Sequence, residues 1–313
     1  MTERTVEEHV VSDPAGGPYA ITTGPDSALW FTLVHSGRIG RFVPGREPIH
    51  HQLDPDSGPS VICTGPDGAV WFTQYRAHRI GRITTAGEVT EFPLPTARCG
   101  PFGIAVGPDG ALWFTETAAD RIGRITPQGS VTEYPLSRTG AFPSGLAADQ
   151  DAMWFTMNQA GAIGRITMDG RITVHELPTE GAAPVGITVA PDGTVWFTEI
   201  GAGQIGCRTP DGRITEYPLP DRSSRPHALT TDAHGTVWFT EWGANRIGSV
   251  TGDGVITVYG LPTPGSEPHG ITVGPDGAVW TALETGALAR LAPTAALAET
   301  TGSAVPTEKR HLS

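Results

Sequence analysis

Apolar and polar residues alternate in short bursts along this chain. Runs rich in Ile, Val, Thr, Trp, Phe and Tyr are broken by Gly, Pro, Asp and Asn, and no stretch sustains a helical period. Short period-two runs bounded by turn residues predict strands. The bursts also recur. Trp30, Trp71, Trp113, Trp154, Trp196, Trp238 and Trp280 stand 41 or 42 residues apart. Six of them open Trp-Phe-Thr and the last opens Trp-Thr-Ala. Ahead of each lies a Pro-x-Gly/Ala-Ile type run. After it come an Ile-Gly-Arg type run, as at Arg121-Ile-Gly-Arg-Ile-Thr, and a closing run, as at Gly212-Arg-Ile-Thr-Glu-Tyr-Pro-Leu. Gly-Pro-Asp-Gly at 65–68, 107–110 and 274–277 marks tight turns between the first two runs.

Four strands per repeat of about 42 residues predict an all-β, seven-bladed β-propeller with four-stranded antiparallel blades. The run Thr5-Val-Glu-Glu-His-Val-Val resembles the closing strand of later repeats but precedes the first inner strand. It is expected to complete the last blade. Residues 1–300 therefore read as one propeller domain, and the polar, patternless 301–313 as a disordered tail.

Composition narrows the partners. With 41 Gly, 28 Pro and 17% charged residues, the 313-residue chain reads as a turn-rich soluble protein. Its net charge of −12 argues against nucleic acid and anionic membrane as partners. No apolar run approaches a membrane span, and the acidic N-terminus lacks a signal-peptide core. Cys63, Cys99 and Cys207 fit no metal spacing and are expected to be reduced thiols of a cytoplasmic protein. A closed propeller has no free sheet edge, so a monomer is expected.

The seven repeats can be compared with one another. Positions that break the pattern are the candidates for chemistry. After the inner-strand Pro come Tyr19, Ser60, Phe102, Ser144, Val185, His227 and His269, expected to ring one mouth of the central channel. Before that Pro stand Gly17, Gly58, Gly100, Phe142, Ala183, Arg225 and Glu267. Glu267 and His269 are two apart, so both should share a face, with Pro268 favouring extended geometry at Glu267. A hairpin centred on Pro275-Asp276 sets Glu267 opposite Glu284, in a column otherwise holding Val34, Tyr75, Thr117, Asn158, Ile200 and Trp242.

Glu267, Glu284, His269 and His227 are thus expected to converge. Two carboxylates suit a hard cation such as Mg²⁺, and a neutral imidazole beside them can take a proton near neutral pH. Such a set can remove a proton α to a carbonyl or activate water. Trp242 is a candidate stacking platform. Glu116, Glu199 and Glu241 are read as channel-wall or inter-blade groups. His9, His35, His50, His51, His78, His175, His234 and His311 are read as structural or exposed.

At Arg225-Pro-His-Ala-Leu-Thr, Trp238-Phe-Thr-Glu-Trp-Gly-Ala-Asn and Glu267-Pro-His-Gly-Ile the chain resembles the virginiamycin B lyase (streptogramin B lyase) family, over roughly residues 15 to 292. The resemblance implies a Mg²⁺-dependent lyase that linearises cyclic depsipeptide antibiotics of the streptogramin B type by elimination at the lactone ester, a resistance function. It implies His269 as general base, His227 and Tyr19 as substrate contacts, and Glu267 and Glu284 as metal ligands. The departures are Leu229 for the usual Ile and Trp280-Thr-Ala-Leu-Glu for the usual Trp-Phe. Two other readings stay open: a non-catalytic propeller that binds a peptide or protein partner, and a metal-dependent lactone or ester hydrolase.

Overall fold

Each repeat folds as a meander because its glycines stand where the backbone needs them. In blade three the strands are Pro101–Val106, Leu112–Glu116, Arg121–Ile125 and Val131–Pro135. The first turn closes through the Gly107 N–H on Ala111 O at 2.8 Å, with Gly110 left-handed at φ 71°. A Cβ on Gly123 would lie 2.1 Å from the Phe114 ring, which explains the glycine of Ile-Gly-Arg. Phe114 and Gly123 face each other across the sheet. Blade seven breaks both positions together, pairing Thr281 with Ala289. The missing phenyl ring and the added methyl compensate, so the irregular Trp-Thr-Ala motif keeps its strand.

A computed structural model of the chain describes residues 5–293, which form seven four-stranded antiparallel sheets. The C-terminal stretch expected to be disordered lies outside the described residues. Blade seven holds Pro268–Val273, Val279–Leu283 and Ala287–Leu291, and its fourth strand is Val6–Val10 from the N-terminus. Val6 pairs with Leu291 and Val10 with Ala287, so the two ends of the chain close the ring as the sequence predicts.

The core lies between blades. Trp30 and Ile39 of blade one pack with Val70, Phe72 and Ile83 of blade two. Across the seam, Trp280 and Leu288 of blade seven pack with Phe31 and Leu33 of blade one. At the Gly-Pro-Asp turns a second repeated device appears. Asp67 accepts from the Trp71 indole at 2.9 Å and from Arg82 Nε at 2.6 Å. Asp26, Asp109 and Asp276 do the same with Trp30 and Arg41, Trp113 and Arg124, and Trp280 and Arg290. Burial pulls these carboxyls up, but the indole and guanidinium bonds outweigh it and hold them below their ordinary range.

At the opposite ends of the strands the blades are stitched by threonine. Thr115 Oγ1 donates to Ser144 O of the next blade at 2.8 Å and accepts the Gly103 N–H at 2.8 Å. Thr240 likewise donates to His269 O at 2.9 Å. Every ring position from Ser60 to His269 has its carbonyl held in this way.

Candidate active site

The ring forms as expected. Tyr19, Ser60, Phe102, Ser144, Val185 and His227 line a cavity of about 370 Å³ at one mouth of the channel. Below it the channel narrows to about 190 Å³ between branched aliphatics such as Ile62, Ile104 and Ile187. His269 completes the ring, 4.6 Å from Tyr19 and 5.1 Å from His227 between ring centroids. A Cβ on Gly270 would meet Ala20 Cα at 2.6 Å, so the glycine after His269 lets blade one's inner strand come this close.

Glu267 and Glu284 do meet, by a route the simple hairpin did not anticipate. Near the turn Val273 pairs with Val279 and Ile271 with Thr281, a register that would carry Glu267 one residue past Glu284. A bulge between Pro268 and Ile271 absorbs the difference, so Pro268 faces Leu283. The Glu284 N–H then bonds Ser266 O at 3.0 Å and Glu267 O at 3.4 Å. The bulge recurs at the same place in all seven blades and seats each ring residue.

The backbone at Glu267 differs from expectation. It is left-handed, at φ 50°, not extended. All seven pre-proline residues share this region: Gly17, Gly58 and Gly100 at 61°, 60° and 61°, and Phe142, Ala183 and Arg225 at 54°, 47° and 54°. The turn onto the inner strand overrides the local bias of a residue before proline. Glycine sits there freely, whereas a side chain costs about 1–3 kcal/mol. Blade seven bears that strain with a carboxylate, and blade six with Arg225, whose guanidinium covers Trp242 at 5.1 Å. Trp242 lies 6.1 Å from His269.

Glu284 is the hub. His269 Nε2 stands 2.9 Å from its Oε2 and His35 Nε2 2.7 Å from its Oε1. Burial alone pulls the Glu284 carboxyl up, but hydrogen bonds from His269, His35 and Glu267 bring it down to about 2. The bond shared with Glu284, then burial, raises Glu267 instead. The two carboxyls titrate as a coupled pair, with Glu284 the more acidic. Burial lowers His269, with Glu284 opposing. His227, deeper, is pushed down to about 3 by burial and then by His269, so it is neutral at physiological pH. The Tyr19 hydroxyl faces His227 Nε2 at 3.4 Å and is raised by burial and then by the Glu284 charge.

One donor atom each from Glu267, His269 and Glu284 lies within 4.8 Å of the others. Two coupled carboxylates and an imidazole at an open mouth offer hard oxygens within reach of one ion, so the residues present fit Mg²⁺.

His35 corrects the sequence reading, which placed it outside the site. Its turn in blade one lies across the seam from blade seven, a neighbour that only ring closure supplies. The other described histidines do lie elsewhere. His9 stacks near Trp280, His50 bonds Val11 O at 2.8 Å, and His51 and His175 cover Trp30 and Trp154. His78 accepts from Gly100 N, and His234 sits in an exposed turn; His311 lies outside the described residues. Glu116, Glu199 and Glu241 are fully buried within their own blades, off the channel wall. Glu241 bonds Arg246, and Glu199 bonds Gln204, which also reaches Thr179 between blades.

The virginiamycin B lyase family profile matches residues 4–291. The chain belongs to that family. A solved virginiamycin B lyase from Staphylococcus aureus is 40% identical, with a TM-score of 0.89 over 92% of this chain and 99% of that one. A catalytically inactive His-to-Ala variant of the Staphylococcus aureus enzyme, solved with quinupristin, is 39% identical with a TM-score of 0.88 over 92% and 99% of the two chains. A curated virginiamycin B lyase from Saccharopolyspora erythraea is 65% identical over 96 residues, a match spanning 30% of this chain and 32% of that protein.

Proposed function

We propose that this chain is a Mg²⁺-dependent lyase that linearises type B streptogramins by eliminative opening of the lactone ester. The observation that carries the reading is the Glu267, His269 and Glu284 cluster at the channel mouth. Its support is membership of a family of lyases, one of whose solved structures holds quinupristin.

Glu267 and Glu284 would hold the cation. Bound there, Mg²⁺ supplies positive charge beside the acyl oxygen of the substrate's ester-bearing threonine residue, which makes its α-proton acidic enough for an imidazole. His269 Nδ1 is buried, so a substrate at the mouth meets Nε2; with Glu284 turned from His269 to the cation, Nε2 would be freed as the unprotonated nitrogen of the Nδ1–H tautomer and would take the α-proton. The Cα–H electrons form the Cα–Cβ double bond, and the Cβ–O bond breaks with its pair on the departing carboxylate. No water is consumed. His227, held neutral, and Tyr19 contact the substrate without competing for the proton. The face of Trp242 away from Arg225 gives a flat apolar group a place to stack. The apolar wall of Phe102, Phe142 and Val185 fits the remainder of a macrocycle.

The test is product mass. Incubation with a type B streptogramin and Mg²⁺ should give a linear product isobaric with the substrate, and EDTA should stop it. A product heavier by one water would make the site a hydrolase, and absence of turnover would leave a binding protein.

A further inference from the structure

Glu284 is gripped from two blades. His269 takes one oxygen from within blade seven, and His35 takes the other from blade one. We propose that His35 is a positioning residue for the cation site, fixing the Glu284 carboxylate so that blades one and seven build the site jointly. This rests on reading Glu267 and Glu284 as the cation ligands.

The repeat supplies the geometry. The residue after each Glu284-column position lies in the second turn of its blade, where a long side chain can reach back to the blade before. Arg76 of blade two does so, its Nη2 3.4 Å from Val34 O of blade one. His35 makes the same reach from blade one to blade seven and meets a carboxylate. The equivalent residues elsewhere are Ala118, Gln159, Gly201, Gly243 and Thr285, and only blade one places an imidazole there. The neighbouring backbone makes room for it. A Cβ on Gly17 would lie 2.3 Å from His35 Cδ2, so the ring can occupy this place because blade one keeps glycine before its proline.

The bond does little for the fold. The His35 side chain is 47% exposed and that of Glu284 is 29% exposed, and ion pairs this open contribute little to stability. Its effect is on orientation. A carboxylate is an acceptor only, so His35 Nε2 donates to Oε1, and Glu284 cannot rotate away when a cation draws its other oxygen off His269. Groups that orient metal ligands in this way are worth about 10–100-fold in metal affinity.

The experiment is titration of the full-length protein with Mn²⁺ as probe for the Mg²⁺ site, read by the electron paramagnetic resonance of free Mn²⁺, for wild type, His35→Ala, His35→Gln and Glu284→Gln. His35→Ala should weaken binding by about 10–100-fold. It should raise the Mg²⁺ concentration for half-maximal turnover by the same factor, leaving the saturated kcat and the melting temperature near wild type. His35→Gln, whose amide N–H can replace Nε2–H, should recover most of the affinity. Wild-type affinity in His35→Ala, with Glu284→Gln impaired, overturns the positioning role and spares the metal reading. Loss without rescue by Gln, accompanied by a lower melting temperature, also overturns it. Affinity unchanged by Glu284→Gln overturns the metal reading and the proposal together.

Discussion

The two ends of the blades obey different rules. At the Gly-Pro-Asp turns four blades repeat the same Asp–Trp–Arg clamp, with guanidinium carbons 5.9–6.0 Å from the tryptophan rings. At the mouth the backbone is equally regular, with a left-handed residue, a proline and a bulge in every blade, but the side chains diverge. A fixed backbone bearing variable side chains lets one copy in seven carry carboxylates while blades one to three carry glycine before the proline. Blade five shows the clamp itself is separable. Cys207 replaces its arginine, and Asp192 turns onto Thr194 at 2.9 and 3.0 Å.

Breaking the clamp end should cost the most stability and the least chemistry. Trp113 is fully buried, and Trp113→Ala should lower unfolding free energy by about 3–5 kcal/mol in urea titrations, with turnover per folded molecule unchanged. The buried carboxyls inside the blades come next. Burial first, then the charge of Glu133, raises Glu116 from 4.5 to about 8. A folded value above the unfolded one means the stabilisation by the neutral form is complete below about 4.5 and is lost as pH rises through about 8. Glu116→Gln should flatten this decline in denaturation midpoints between those limits.

The mouth should behave in the opposite way. Glu267→Gly gives blade seven the residue that blades one to three carry, and it should raise stability by about 1 kcal/mol while abolishing Mg²⁺-dependent turnover. Equal stability with retained turnover would dissolve the contrast between the two ends. The smallest effect is at blade five, where Cys207→Arg rebuilds the clamp beside Asp192 and Trp196 and should add up to about 0.5 kcal/mol in thermal melts.

Much of this was legible in the sequence because seven copies served as their own alignment. The tryptophan spacing gave the blades, and divergence in three columns picked out Tyr19, His227, Glu267, His269 and Glu284. The misreadings share one cause: local rules were applied where repeated geometry governs. Pro268 argued for an extended Glu267, although glycine in the same column at 17, 58 and 100 signalled a left-handed turn. A plain hairpin led to Glu284 only because it ignored a bulge as well as the true turn centre. His35 was missed because its partner is 249 positions away, across a seam that exists only once the N-terminal strand has closed the ring. A turn residue in blade one could have been tested against blade seven by carrying the column one blade backwards.

In the proposed reaction the proton is taken by one imidazole at the blade-seven mouth, His269. The most direct test is the product mass spectrum of a type B streptogramin incubated with His269→Ala at saturating Mg²⁺, beside wild type, with both proteins shown to melt alike. Wild type should yield an isobaric linear product, and the variant none above the uncatalysed background. Turnover by the variant within tenfold of wild type would remove His269 from the role of base.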